Sequence, residues 1–163
     1  MECKTLKKLD ISKFNTINVK NMGWMFRACN SLKELDLSNF RTNSITDMNN
    51  MFAFCQSLEK LNVSNFNTKN VTDMHMMFTS CRSLTKLDIS SFKLENVNNI
   101  NHMFMGCESL IELTMTNFNS DFRTQMSNIF VDCPKDCKRK LKIILKVLRM
   151  KHLIRLVFYF NKQ

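Results

Sequence analysis

Glycine and proline are nearly missing from this chain, at two and one in 163 residues, and it holds one tryptophan, one tyrosine and three histidines. So little glycine and proline excludes a flexible linker or a low-complexity segment. With Gly23 and Gly106 alone, no glycine-rich phosphate loop exists. A long uncharged apolar run is missing too. The most apolar stretch, Leu141 to Phe160, is interrupted by Lys142, Lys146, Arg149, Lys151, His152 and Arg155, so it cannot be a membrane-spanning helix. Nor does Met1-Glu2-Cys3-Lys4 begin a charged and then apolar leader. His75, His102 and His152 show no Ser-His-Asp or Cys-His spacing, and the chain reads as non-catalytic.

What the chain has instead is a period. Cys3, Cys29, Cys55, Cys81, Cys107 and Cys133 stand 26 residues apart, and nearly every residue type in Asn70–Phe92 returns at that step. A fixed period of this size marks a stack of identical supersecondary units. Five copies fit without insertion, at 3–28, 29–54, 55–80, 81–106 and 107–132, giving a repeat body of 1–133 and a tail of 134–163. The fifth copy decays, with Arg123 in the Val column and Gln125 in the Asp column, as a terminal repeat does when it closes an open core.

Each copy opens with Leu-x-Leu alternation, as in Leu84, Leu87, Ile89 and then Phe92, which predicts a short strand with one buried face. The Phe column (Phe14, Phe40, Phe66, Phe92, Phe118) is expected to form a ladder. The second half, as in Met74, Met77, Phe78 and Cys81, has i, i+3, i+4, i+7 spacing, which predicts a two-turn α- or 3₁₀-helix with Thr72 and Asp73 as caps. The expected fold class is therefore an α/β repeat solenoid, one short parallel strand and one short helix per repeat. In the tail, lysines and arginines step by three and four opposite Leu141, Ile144, Leu145, Leu148 and Leu153, predicting a C-terminal amphipathic helix that either caps the stack or stands as a separate basic tail.

Charge divides the same way. The net charge is +10, yet the tail holds ten Lys+Arg against Asp136 alone, so the repeat body is nearly neutral. The cysteines lack the close pairs a metal site needs, and no cofactor or metal is expected. Seven is odd for disulfides, so a column of buried thiols is the reading. The solvent face of the strands then remains as candidate ligand face: Lys8, Glu34, Lys60, Lys86 and Glu112, followed by Asp10, Asp36, Asn62, Asp88 and Thr114. The hydroxyl column beside them (Ser12, Ser38, Ser64, Ser90, Thr116) repeats too regularly to discriminate, whereas Lys7, Lys33, Glu59, Thr85 and Ile111 vary. Lys138, Lys142, Lys146, Arg149 and Arg155 are the candidate contacts of the tail.

The motif SLxxLDLSNFxTxxVTDMxxMFxxC, carried by Ser31–Cys55 and Ser57–Cys81, resembles the repeat of BspA-like leucine-rich-repeat surface proteins of mycoplasmas and other bacteria. The resemblance implies a right-handed leucine-rich-repeat coil, a cell-surface or secreted location, and adhesion to protein or matrix ligands. Two alternative readings stand beside it. One is a structural spacer or fragment of a longer surface protein. The other is an anionic-membrane binder acting through the tail, with nucleic acid less favoured. Self-association through open ends of the stack is a further expectation.

Overall fold

The computed structural model describes residues 3–115 and 128–133, and the backbone of 142–145. Four short strands come from the repeats, β1 (Glu34–Asp36), β2 (Lys60–Asn62), β3 (Lys86–Ile89) and β4 (Glu112–Met115). A fifth, β5 (Lys142–Leu145), pairs parallel to β4. β1 and β2 pair in parallel at the repeat register, Glu34 opposite Lys60, and so do β3 and β4, Lys86 opposite Glu112. The strands fall into two small sheets, β1-β2 and β3-β4-β5, and residues 6–11 of the first copy form no strand.

The α/β class is overturned, because no helix occurs among the described residues. The segment that carries helical spacing is a chain of tight turns. The N–H groups of Met48, Asn50, Phe52 and Phe54 donate not to residues four back but to the carbonyls of Asp73, His75, Met77 and Thr79 in the next coil, at 2.7–3.0 Å. Between them Met51, Ala53 and Cys55 donate three residues back, to Met48, Asn50 and Phe52. The alternation works only if the backbone reverses its hand at intervals. Trp24, Asn50, Met76, His102 and Asn128 have φ of 53–65°, and Ala28, Phe54, Ser80, Gly106 and Asp132 have φ of 57–67°. Two left-handed residues per coil cannot belong to an α-helix. The hydrogen bonds that stacking supplies hold them there.

The expected caps also act differently. Asp47 and Asp73 accept the N–H two residues on, from Asn49 at 2.8 Å and His75 at 2.7 Å, which closes an Asx turn. These residues form isolated parallel bridges through the stack, Asn21 to Asp47 to Asp73 to Asn99. In the tail, the predicted amphipathic helix meets β5 at its start. The strand takes Lys142 with it, and Lys138, Lys146, Arg149 and Arg155 lie outside the described residues.

The core consists of columns. Leu32, Leu58, Leu84 and Leu110 are buried, as are Met48, Met51, Met74 and Met77. The principal phenyl ladder, however, is the one from the turn segment. Phe26, Phe52, Phe78, Phe104 and Phe130 stack with centroids 5.2–5.7 Å apart and planes within 20°. Of the column expected to stack, Phe66 and Phe92 do so at 6.0 Å, Phe40 tilts against Phe26, and Phe14 is 51% exposed.

Of the left-handed positions among the described residues only Gly106 carries glycine, with φ +67°, and a β-carbon there would lie 3.1 Å from Ser80 Oγ. Its counterparts tolerate side chains, so Gly106→Ala is expected to fold but to lose about 1–2 kcal/mol in urea denaturation.

Candidate binding face and the buried thiol column

The strand face presents Lys8, Asp10, Glu34, Asp36, Lys60, Asn62, Lys86 and Asp88 to solvent; Glu112 is half-buried, and Thr114, expected outside, is 8% exposed. Much of this face is already engaged. Asp10, Asp36, Asn62 and Asp88 each accept the N–H of the serine two residues on, at 2.8–3.1 Å. The serine N–H holds the carboxyls of Asp10 and Asp36 below the usual range. The recurring Asp-x-Ser is thus a turn signature, and Ser12, Ser38, Ser64 and Ser90 serve as its donors. Among the flanking charges Lys60 pairs with Glu34 at 2.5 Å, Lys33 with Glu59 at 3.2 Å and Lys86 with Glu112 at 3.5 Å. The contact with Lys60 lowers the Glu34 pKa, and Glu34 raises that of Lys60. Except for the half-buried Glu112 these groups are exposed, so solvent screens the pairs and they add little to stability.

Strand pairing differs from junction to junction, and charge follows it only in part. Between the second and third coils, where Lys33 faces Glu59 and Glu34 faces Lys60, the N–H groups of Glu59 and Lys60 donate to Lys33 O at 2.8 and 3.1 Å. Between the fourth and fifth, where Lys86 faces Glu112, those of Ile111 and Glu112 donate to Thr85 O at 2.9 and 3.2 Å. At the other two junctions the equivalent bonds are missing among the described residues: neither Lys33 nor Glu34 donates to Lys7, and neither Thr85 nor Lys86 to Glu59. At these two, one column sets lysine against lysine, Lys7 with Lys33 and Lys60 with Lys86, although across the first Lys8 also faces Glu34 and helps to lower its pKa. Like charges directly opposite destabilise a strand pair. The turn ladder crosses both junctions unbroken, with Trp24 donating to Asn49 and Met76 to Asn101. An open depression of about 1030 Å³ lies over the first of them, lined by Lys7, Lys8, Leu9, Asp10, Lys33, Glu34 and Asp36 among others.

Sequence reasoning gave no role to the threonines between the Phe and Val columns. Thr16, Thr42 and Thr68 are buried, and each bridges to the next coil in both directions. Thr68 Oγ1 donates to Lys93 O at 2.8 Å and accepts from Lys93 N at 2.7 Å, and Thr42 does the same with Asn67. Their spacing of 26 was the available signal; Leu94 ends the column.

The cysteines form a column with free thiols, Cys3 exposed and Cys29, Cys55, Cys81, Cys107 and Cys133 buried. Cys55, Cys81, Cys107 and Cys133 donate through Sγ to Phe26, Phe52, Phe78 and Phe104 carbonyls of the preceding coil, at 3.1–3.4 Å. Burial pushes Cys29 up to about 11, Cys55 to about 12, and Cys81 well above its ordinary value. The thiolate is the reactive species, so these are inert. In a Cys137→Ser background, a thiol reagent at pH 8 is expected to label Cys3 within minutes and the buried five only after denaturation. The raised values also set a pH dependence. The folded state keeps these protons while the unfolded chain loses them, so stability is full below about pH 9 and falls as pH rises towards 12, by up to about 1.4 kcal/mol per unit per thiol. Alkaline urea titrations check the slope, which Cys55→Ala should reduce.

His75 and His102, though in different columns, meet edge-on at 5.8 Å, each with a buried Nδ1 that has no partner. No third ligand completes a metal site, and no group of three His, Cys, Asp or Glu suited to a metal ion occurs among the described residues. No helix of the described residues is long and apolar enough to cross a membrane.

No curated protein and no solved structure matches the chain. A family defined from its sequences does, over residues 1–61 and again over 24–142, two overlapping placements such as a repeat allows. Together they span most of the chain, which belongs to the family described as Mycoplasma protein of unknown function, DUF285.

Proposed function

We propose that this protein is a non-catalytic binding module of the BspA-like leucine-rich-repeat surface type, which contacts protein or matrix ligands through its strand face. One observation carries the reading. The Asp/Asn and Ser columns of that face are engaged by Asx turns, whereas the irregular column, Lys7, Lys33, Glu59, Thr85 and Ile111, is exposed throughout and is tied within itself by the Lys33–Glu59 pair. Variation on a rigid, uniform frame is how a repeat protein distinguishes ligands. The surface location and the adhesive role come from the family resemblance. A spacer role is the second reading, favoured by how completely Glu34, Glu59 and Glu112 are paired within the face.

Surface plasmon resonance of the full chain against a panel of extracellular-matrix glycoproteins separates the two. A binding module gives a ligand whose affinity falls with Thr85→Arg or Ile111→Arg and not with Lys69→Ala, which lies off that face. A spacer gives no ligand, and neutralising Lys138, Lys146, Arg149 and Arg155 abolishes any binding that the tail alone carries.

A further inference from the structure

We propose that Arg27, held over the rings of Trp24 and Phe54, is a binding site for a single carboxylate carried beside an apolar side chain, as on an acidic residue of a partner protein. The site lies on the turn segment, outside the strand face, and goes beyond the adhesive reading of that face.

Three observations converge. First, the guanidinium carbon of Arg27 lies 4.8 Å from the ring centre of Trp24 in its own coil and 5.1 Å from that of Phe54 in the next. Both rings hold the group in place. Secondly, no acceptor within the described residues uses it. Arg27 enters no ion pair there, and its Nε is buried without a partner. Of its nitrogens only Nε is so enclosed, which leaves the terminal pair open to a ligand. Thirdly, the surroundings are apolar and carry no second charge. Trp24 is 54% and Met25 40% exposed, and Phe54 and Met76 are half-buried. Arg27 is the one charged residue in 21–32, and 48–58, which stacks on that stretch, has none.

The repeat does not need this arrangement. Arg27 N donates three residues back to Trp24 O, and Ala53, Thr79, Met105 and Val131 make the same bond to Asn50, Met76, His102 and Asn128, all at 3.1–3.3 Å. The turn therefore closes in every coil without a guanidinium over a ring. A planar carboxylate accepts two parallel N–H bonds from the edge of a guanidinium. One cation on an uncharged apolar surface matches one such group, with an apolar neighbour to cover Trp24 and Met25. A nucleic acid or a sulfated polysaccharide draws its affinity from many cations, and here it meets one.

Trp24 is the single tryptophan of the chain, so its emission reports on the site directly. The probe is a short peptide with neutral ends and one glutamate between leucines. It is titrated into the full chain with Glu2, Lys138, Lys146, Arg149 and Arg155 changed to Gln, which removes a competing carboxylate and attraction by the tail. A saturable change in emission is expected. The glutamine version of the peptide should bind about tenfold or more weakly, the scale of one charge-assisted contact, and Arg27→Gln should weaken the glutamate peptide as much. Arg27→Lys keeps the charge but loses the fork, and should fall between. Lys33→Gln, on the strand face, should change nothing. Equal binding of the two peptides overturns the inference, and needs no variant of Arg27 to fold. So does unchanged affinity in Arg27→Gln, an equal loss in Lys33→Gln, or tighter binding of heparin or of phosphatidylglycerol vesicles than of the peptide.

Discussion

Phe78→Ala is expected to cost about 3–5 kcal/mol, the range for emptying a buried phenylalanine site. Phe78 is fully buried in the middle of the phenyl ladder, stacked on Phe52 at 5.5 Å and on Phe104 at 5.6 Å with both planes within 7°. Its ring cannot be replaced by collapse, because the coils above and below are fixed by the turn ladder through Phe78 N to Met103 O and Phe52 N to Met77 O. A void therefore remains, and two stacking contacts worth about 0.5–1.5 kcal/mol each are lost with it. Thermal unfolding should move down by about 6–20 °C for a chain of this size. Phe14→Ala, in the column that sequence periodicity favoured as the ladder, removes a ring that is half exposed and should shift the midpoint little.

Thr68→Val is the second large effect and the more diagnostic. The substitution keeps shape and volume, so packing alone predicts a small change. Yet the Thr68 hydroxyl both donates to and accepts from the backbone of Lys93, and the side chain is fully buried. Valine strands one N–H and one carbonyl, at about 1–3 kcal/mol for each. Thr68→Ser, which keeps the hydroxyl, should recover most of the loss in urea denaturation. Equal stability of the valine and serine variants would show that the bridge between coils contributes nothing.

How far these features could be read from sequence depended on what each pattern encodes. The 26-residue step gives the pairing register directly, since residues that recur are residues that stack, and Glu34 indeed lies opposite Lys60. The buried Leu and Met columns follow from the same recurrence. The helix did not follow, because i, i+3, i+4, i+7 spacing says which residues share a face and not how the backbone turns between them. In an isolated segment each N–H needs a partner nearby, which favours a helix. In a stack the next coil supplies carbonyls to alternate N–H groups, and the chain can reverse its hand. The usual flag for that reversal is glycine, but here Trp24, Asn50, Met76 and His102 occupy the left-handed positions, so nothing in composition announced it.

On the candidate face the Asp column was visible but its meaning lay in the serine two residues later. The acidic groups close turns, and sequence spacing alone also allowed a ligand-facing role. The open junctions were not legible from charge alone, since Lys7 and Lys33 are 26 residues apart but so are Lys8 and Glu34. The backbone bonds on either side show which junctions pair. The threonine column went unread because a buried hydroxyl and a surface one look alike in a sequence.

Backbone groups of the turn segment bond between coils and not within a helix, and hydrogen-bond scalar couplings measure this atom by atom. Coupling is expected from the amide nitrogen of Phe52 to the carbonyl carbon of Met77, and from Phe78 to Met103, the donors and acceptors that lie 2.9 Å apart. Coupling from Phe52 to Met48 and from Phe78 to Met74 instead, the pattern of an α-helix, would contradict it.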